Sequence, residues 1–167
     1  MGKGTIQAIC GEGKGKTTAA LGKGIGALTK KQNVIVIQFL KGCQDPESFD
    51  VLKRLEPEMK IFRFEKSDCF FETLSKEQQE EERMNIRNGL NFARKVLTTG
   101  ECDLLILDEI LGLLDCEILT VDELIKILES KTDGMDVILT GKTFPKELEP
   151  YVDSIQEIDH LKVDNET

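Results

Sequence analysis

The sequence predicts an α/β fold: a three-layer sandwich in which helices cover both faces of a mostly parallel sheet. Short apolar runs recur along the chain without alternation, which is typical of strands buried on both faces. Helix-type segments separate these runs, and that order favours parallel pairing with right-handed crossovers. The 167 residues are 40% hydrophobic and 32% charged, which suits one domain with a substantial core.

The first half of the chain opens with a buried strand over residues 5–10. A helix over residues 16–30 follows, and then a β-branched strand over residues 33–38. Residues 60–64 are a weaker strand candidate.

A long helix begins at Ser75, because Ser75 and Gln78 have capping-box spacing, and it ends at Gly100. Four residues at helical spacing form its predicted inward stripe: Ile86, Leu90, Ala93 and Leu97.

Further elements alternate through the second half. Residues 103–107 and 135–140 are apolar strands, and the helix between them spans residues 120–129, opened by a second capping box. Pro145 suits a first helical turn, and residues 154–158 form a last edge strand.

A glycine-rich segment joins the first strand to the first helix: Gly11, Glu12, Gly13, Lys14, Gly15, Lys16, Thr17 and Thr18. Glycines let the backbone turn its N–H groups toward one point, and the helix adds the positive end of its dipole. Lys16 supplies a mobile charge for phosphate oxygens, and Thr17 offers a hydroxyl to bound Mg²⁺. The alternative is a glycine turn with solvated lysines, but the strand-to-helix context favours a phosphate-binding loop and a P-loop NTPase-like fold. The loop is one residue short, since Cys10 occupies the usual position of the first glycine.

Two carboxylates, Asp108 and Glu109, follow the strand over residues 103–107. Ligands of open α/β sheets bind at the carboxyl ends of the strands. A carboxylate there can hold Mg²⁺ directly or through water, opposite Thr17. The alternative is a solvated strand end or a helix N-cap, but the upstream loop favours the metal role.

Composition and charge argue against several classes of protein. The net charge of -9 disfavours a broad nucleic-acid surface. No apolar run approaches the roughly 20 residues that span a bilayer, and no signal-peptide pattern occurs. The five cysteines show neither metal-type nor disulfide-type spacing. We therefore expect no nucleic-acid or membrane partner, a cytoplasmic location, one domain over residues 1–159 and a polar tail over residues 160–167.

Several segments match one known pattern in order. They are residues 11–22, 38–42 (Gln-Phe-Leu-Lys-Gly), 107–109 (Leu-Asp-Glu), 137–141 (Val-Ile-Leu-Thr-Gly) and 145–158. Together they resemble the ATP:corrinoid adenosyltransferases, the family that acts on cobyrinic acid a,c-diamide and cobalamin. The similarity covers about residues 3–158, and the glycine loop with the Gln-Phe-Leu-Lys-Gly segment is its most specific part.

The resemblance implies a reaction between two small molecules. A reduced Co(I) corrinoid attacks the 5′ carbon of ATP, and triphosphate leaves. Lys16 is then a phosphate ligand, Thr17 and Glu109 are Mg²⁺ ligands, and the backbone of residues 11–18 is the cradle. Lys16 and Glu109 are the implied catalytic residues, and Asp108 supports them. The family also implies a homodimer, a flavoprotein or other reductant as partner, and ATP reversed relative to ordinary NTPases.

The segment Cys69-Phe70-Phe71-Glu72-Thr73 stands where better-known members carry Phe-x-Trp-Glu-Thr. In those members it helps to strip the lower axial ligand from cobalt, so the resemblance places Phe71 at the corrinoid. Core packing is the alternative for Phe70 and Phe71. Cys69 is too small to fill the space of the phenylalanine that it replaces.

Two positions in or near the nucleotide site need separate expectations. Glu12 stands where the family loop often has Asn, and its carboxylate should repel phosphates unless it points away or helps the metal. Lys41 either contacts the nucleotide or is a solvated loop lysine. Two other functions stay open: a P-loop phosphotransferase or NTPase with another acceptor, and a non-catalytic ATP-binding paralogue.

Overall fold

The computed structural model describes residues 2–40, 50–67 and 69–162. Six strands form one sheet: β1 (Ile6–Cys10), β2 (Val34–Gln38), β3 (Met59–Arg63), β4 (Leu104–Asp108), β5 (Asp136–Thr140) and β6 (Ser154–Glu157). Their order is β3-β2-β4-β5-β1-β6, and every neighbouring pair is parallel. The predicted α/β fold is confirmed, and the described sheet is entirely parallel rather than mostly so.

Helices cover both faces of this sheet. The α-helices are α1 (Lys16–Thr29), α2 (Lys76–Thr99), α3 (Gly112–Asp115) and α4 (Val121–Glu129). Short segments of 3₁₀-helix occur at Val51–Leu55, Phe71–Thr73 and Lys146–Tyr151. Pro145 precedes the last of these as its N-cap, so the helical turn predicted there is a 3₁₀ turn.

The two faces of the sheet bury separate apolar clusters because successive strand side chains point to opposite sides. In β4, Ile106 packs with Ala20 of α1, whereas Leu105 and Leu107 pack on the face covered by α2 and α4. The predicted stripe of α2 is buried throughout: Ile86, Leu90, Ala93 and Leu97. This arrangement is the predicted three-layer sandwich.

Caps fix the ends of the helices as the sequence predicts. The Gln78 N–H donates to Ser75 Oγ over 3.3 Å, and the Ser75 N–H donates to Gln78 Oε1 over 3.1 Å. Gly100 ends α2 with φ of 67°. A second capping box, Thr120 with Glu123, opens α4.

The carboxyl ends of the parallel strands meet at one edge of the sheet. There β5 lies between β1 and β4. The strand order therefore places Thr140, at the end of β5, between the glycine loop after β1 and Asp108 at the end of β4. Among the described residues, none of the helices combines the length and apolar character needed to cross a bilayer.

Candidate functional site

The glycine loop turns sharply between β1 and α1. Gly11 has φ of 115° and Gly15, the N-cap of α1, has φ of 104°. Both lie in the left-handed region that favours glycine. A Cβ on Gly11 would also collide with the backbone carbonyl of Ile158. The loop path therefore requires glycine at this position for two independent reasons.

Two backbone hydrogen bonds anchor the start of the loop. The Gly11 N–H donates to the Lys142 carbonyl over 2.9 Å, and the Gly13 N–H donates to the Ile158 carbonyl over 2.8 Å. The amides that follow enter the first turn of α1, which carries no acidic side chain. Helix N-terminal amides and the helix dipole favour an anion at that point.

Lys16 lies over the loop that precedes it. Its Nζ donates to the Gly13 carbonyl over 2.8 Å, and the side chain is half-buried. Burial raises the pKa of the Cys10 thiol, Glu157 raises it further, and the Lys16 charge lowers it. The charges of Lys16 and Glu157 therefore both influence the thiol at the end of β1. Lys14 and Thr18 are exposed at the rim of the loop.

A buried polar cluster joins the loop to the acidic strand end. Asp108 is completely buried, and the Thr17 hydroxyl donates to its Oδ1 over 2.9 Å. The Thr140 hydroxyl donates to the same oxygen over 2.7 Å, and Gln38 Nε2 lies 3.5 Å from Oδ2. These donors offset the desolvation of the carboxylate. The structure thus gives Asp108 a more central place than the supporting role expected for it.

Glu109 follows Asp108 with a left-handed backbone, φ of 62°. Its N–H donates to Thr140 Oγ1 over 2.8 Å, so Thr140 bonds both acidic residues. Its Oε2 lies close to Gly112, since a Cβ built on that glycine would be 3.1 Å from the Oε2 atom. A positive φ at a non-glycine residue costs about 1–2 kcal/mol, and Thr140 helps to hold this conformation.

A small cavity borders the Glu109 side of the site. It has a volume of about 150 Å³ and is lined by Leu40, Glu65, Phe70, Phe71, Glu72 and Cys116. Leu40 lines this cavity and also lies near Glu109. Leu40 Cδ1 and Glu109 Oε2 both border Gly112, where a Cβ would be 3.0 Å from Leu40 Cδ1 and would also contact Glu109 Oε2. Phe71 packs against the core with Arg83 Cζ 5.3 Å from its ring centre, whereas Phe70 is 60% exposed.

A larger cavity among the described residues lies elsewhere. It measures about 380 Å³ and is lined by residues such as Thr5, Lys30, Gln32 and Asp136, at the amino ends of the strands. Parallel sheets bind ligands at the opposite edge. The chemistry of the glycine loop, and not cavity size, therefore identifies the candidate site.

The structure brings most of the predicted site residues to one edge of the sheet. Residues 11–18, Asp108 and Glu109 surround the end of β5, and Phe71 lies beyond Glu109. Lys41 lies outside the described residues. The sequence patterns assign no role to Thr140, Gln38 or Lys142. The signal that indicates Asp108 is a polar residue at the end of an apolar parallel strand, and Thr140 and Gln38 also have such positions.

Fold and loop together define an α/β protein of the P-loop NTPase-like class. A KaiC-like protein, PH0186 from Pyrococcus horikoshii, shares this fold with a TM-score of 0.57 at 20% identity, covering 98% of this chain and 76% of that chain. A family model described as ATP:corrinoid adenosyltransferase BtuR/CobO/CobP matches residues 2–166. The chain belongs to that family, which confirms the resemblance carried by its motifs.

Relatives with this name are distant in sequence. The corrinoid adenosyltransferase of Escherichia coli K12 is 26% identical over 160 residues, which are 96% of this chain and 79% of the relative. The corrinoid adenosyltransferase CobA of Salmonella typhimurium is 28% identical over the same shares. An uncharacterised Nostoc protein, all2391, is 30% identical over 95% of this chain and 44% of its own length.

Proposed function

We propose that this protein transfers the 5′-deoxyadenosyl group of ATP to the cobalt of a reduced corrinoid. The Co(I) electron pair forms the new bond to C5′ of the ribose, and the C5′–O bond breaks. That bonding pair leaves with the triphosphate, and cobalt becomes Co(III). Because Co(I) is itself a strong nucleophile, the protein mainly binds, orients and protects the reactants.

The observation that carries this proposal is the hydrogen bond from Thr17 to Asp108. It joins the anion-binding loop to the acidic strand end, and the aromatic cavity lies just beyond Glu109. ATP phosphates held at the loop would therefore have a hydrophobic surface close by. This supports a nucleotide whose ribose faces a second substrate with a large flat ring, such as a corrinoid.

The residues fit Mg²⁺ held together with a polyphosphate. The hydroxyl of Thr17 and the carboxylates of Asp108 and Glu109 are the oxygen ligands that Mg²⁺ prefers. Gln38 Oε1 is buried beside Asp108 without a partner among the described residues, so it can accept a bond from a metal-bound water. The described ranges contain no cluster of three His, Cys, Asp or Glu side chains, but Mg²⁺ bound with phosphates needs only one or two carboxylates.

When bound, Mg²⁺ neutralises charge on the triphosphate and so improves the leaving group. The chain's own contribution is electrostatic. Lys16 and the amides of α1 hold the charge that develops on the departing oxygen. Lys16 would exchange the Gly13 carbonyl for a phosphate oxygen, because a charge-assisted bond is the stronger one.

The corrinoid surface of this proposal centres on Phe71 and the exposed ring of Phe70. The cavity beside them, about 150 Å³, can receive only an edge of so large a macrocycle. The proposal includes a homodimer and a flavoprotein or other reductant that delivers electrons. It also includes a cytoplasmic setting, which suits the free thiols of the described cysteines: Cys10, Cys69, Cys102 and Cys116.

A direct test mixes the protein with Mg-ATP and chemically reduced cob(I)alamin. Absorbance would follow the light-sensitive Co–C product, and a separate assay would measure triphosphate. Lys16→Ala should abolish the product, whereas Lys30→Ala, beyond the far end of α1, removes an exposed charge and should not.

Each result of this assay decides between the functions. Product and triphosphate in equal amounts support adenosyl transfer. ADP with phosphate instead would identify a phosphotransferase or NTPase. Tight ATP binding without either product would identify a non-catalytic paralogue and overturn the proposal.

A further inference from the structure

We propose that Lys142 is an additional phosphate ligand and that Glu12 is its exchangeable counter-ion. This inference rests on the proposed binding of ATP at the glycine loop. In the structure Lys142 Nζ lies 3.2 Å from Glu12 Oε2. When a triphosphate binds, Lys142 leaves Glu12 for a phosphate oxygen, and Glu12 recaptures it when the triphosphate departs.

The backbone of Lys142 is fixed against the loop. Its carbonyl accepts the Gly11 N–H over 2.9 Å, and the preceding residue, Gly141, donates its N–H to the Ile9 carbonyl over 3.2 Å. Gly141 has no room for a side chain because a Cβ there would collide with Leu111. The connection after β5 therefore delivers the Lys142 side chain to the mouth of the loop in a defined position.

The ion pair is of the kind that exchanges easily. The Lys142 and Glu12 side chains are 60% and 69% exposed, and exposed pairs contribute little net stability. A polyphosphate offers several charged oxygens, whereas Glu12 offers one carboxylate. Binding of triphosphate therefore attracts Lys142 and repels Glu12 at the same time.

Glu12 lies inside the loop, between Gly11 and Gly13, whose amides are already bonded. A carboxylate at that position opposes phosphate binding unless a cation balances it. In the free protein Lys142 balances the Glu12 charge, and in the bound state the same lysine offsets charge on the phosphate. The same pairing lets Glu12 compete for Lys142, so it should speed release of the triphosphate product.

The test measures the dissociation constants of tripolyphosphate and Mg-ATP by calorimetry. Wild type would be compared with Glu12→Gln, Lys142→Met and the double variant. Lys30→Met and Glu129→Gln are matched controls, because both residues are exposed; Lys30 follows the far end of α1, and Glu129 ends α4. Lys142→Met should weaken binding about tenfold, and Glu12→Gln should tighten it roughly threefold and slow tripolyphosphate release. The gain from Glu12→Gln should be smaller in the Lys142→Met background, because only the direct repulsion by Glu12 is then removed and binding no longer breaks an ion pair.

The inference is overturned if Lys142→Met binds tripolyphosphate as Lys30→Met does, or if Glu12→Gln weakens binding. It is also overturned if the gain from Glu12→Gln is as large without Lys142 as with it. The two proposals fail separately: adenosyl transfer can be absent while the Lys142 effects are seen, or present without them. Absence of ATP binding in wild type would overturn both.

Discussion

The hydroxyl of Thr17 donates a hydrogen bond to Asp108 across 2.9 Å, although the two residues are 91 positions apart in the sequence. One lies in the first turn of α1 and the other at the buried end of β4. The bond places the glycine loop and the acidic strand end in one cluster. Such a cluster would be preorganised for the metal-bound polyphosphate that we propose, because its oxygens are already in place.

Asp108→Asn should remove most of the Mg²⁺ dependence of ATP binding. The amide keeps the size of the carboxylate but loses its charge, so we expect Mg-ATP affinity to fall about tenfold or more. Calorimetry with Mg²⁺ and with EDTA measures the difference. Asp103→Asn, just before the other end of β4, should keep the full Mg²⁺ effect. Equal Mg²⁺ effects in wild type and Asp108→Asn would contradict a metal role for this residue.

Thr140→Val should destabilise the protein by about 1–3 kcal/mol, because the Glu109 N–H and Asp108 Oδ1 would each lose a partner. Urea unfolding measures this change. Thr140→Ser retains the hydroxyl and should restore most of the stability. If Val and Ser were equally stable, the hydroxyl would not be the group that matters.

Gly11→Ala should abolish tight ATP binding and lower the melting temperature. The methyl group meets the Ile158 backbone, and a φ of 115° strains any residue with a Cβ. Gly22→Ala is the matched control, because a Cβ there meets nothing within 4 Å in the interior of α1. That change should stabilise the protein by about 0.5–1 kcal/mol. Loss of ATP binding in Gly22→Ala as well would indicate that the loop is not specifically involved.

Phe71→Ala should raise the KM for the corrinoid and leave the dissociation constant of ATP within about twofold of wild type. Phe71 lines the cavity beyond Glu109 and touches no part of the glycine loop in the described contacts. Stability should also fall, by about 1–3 kcal/mol, because the ring is half-buried. Steady-state kinetics above a saturating ATP concentration provide the measurement. If the KM for the corrinoid did not change, the role of Phe71 would be limited to packing in the core.

Stability should decrease at alkaline pH because of Cys102. Burial raises the pKa of this thiol from its ordinary value of 9.0 to about 12. Between these values the folded state keeps the proton and the unfolded state loses it, so the free energy of unfolding falls as pH rises. The stabilisation that comes from the protonated Cys102 thiol is complete below about pH 9.0 and is lost as the pH rises to about 12. The slope is about 1.4 kcal/mol per pH unit for one thiol.

Cys102→Ala should make the pH dependence of urea unfolding shallower by roughly that amount. The variant also loses packing contacts, and this loss lowers the free energy of unfolding by the same amount at every pH. Parallel pH curves for wild type and variant would show that this thiol does not titrate differently in the two states.

Sequence patterns predicted the elements whose signals are local. Capping boxes located the starts of α2 and α4, and continuous apolar runs located β2 and β4 within one residue. The glycine spacing predicted a loop that does turn between strand and helix. These signals are short-range, so the sequence contains them directly.

The partners in the site depend on strand order, which local patterns do not specify. Thr140 bonds both acidic residues only because β5 lies between β1 and β4. Lys142 reaches Glu12 for the same reason. From the sequence alone, Glu12 is expected to repel phosphates unless it points away or helps the metal. In the structure it pairs with Lys142, a residue 130 positions later in the chain.

A crystal structure with Mg²⁺ and ATP would show directly whether the glycine loop holds the nucleotide. We expect the triphosphate against the amides of residues 14–18, with Lys16 Nζ moved from the Gly13 carbonyl to a phosphate oxygen. The ribose C5′ should face the side of the site that carries Phe71. A nucleotide bound elsewhere, with the loop empty and Lys16 still on Gly13, would contradict this expectation.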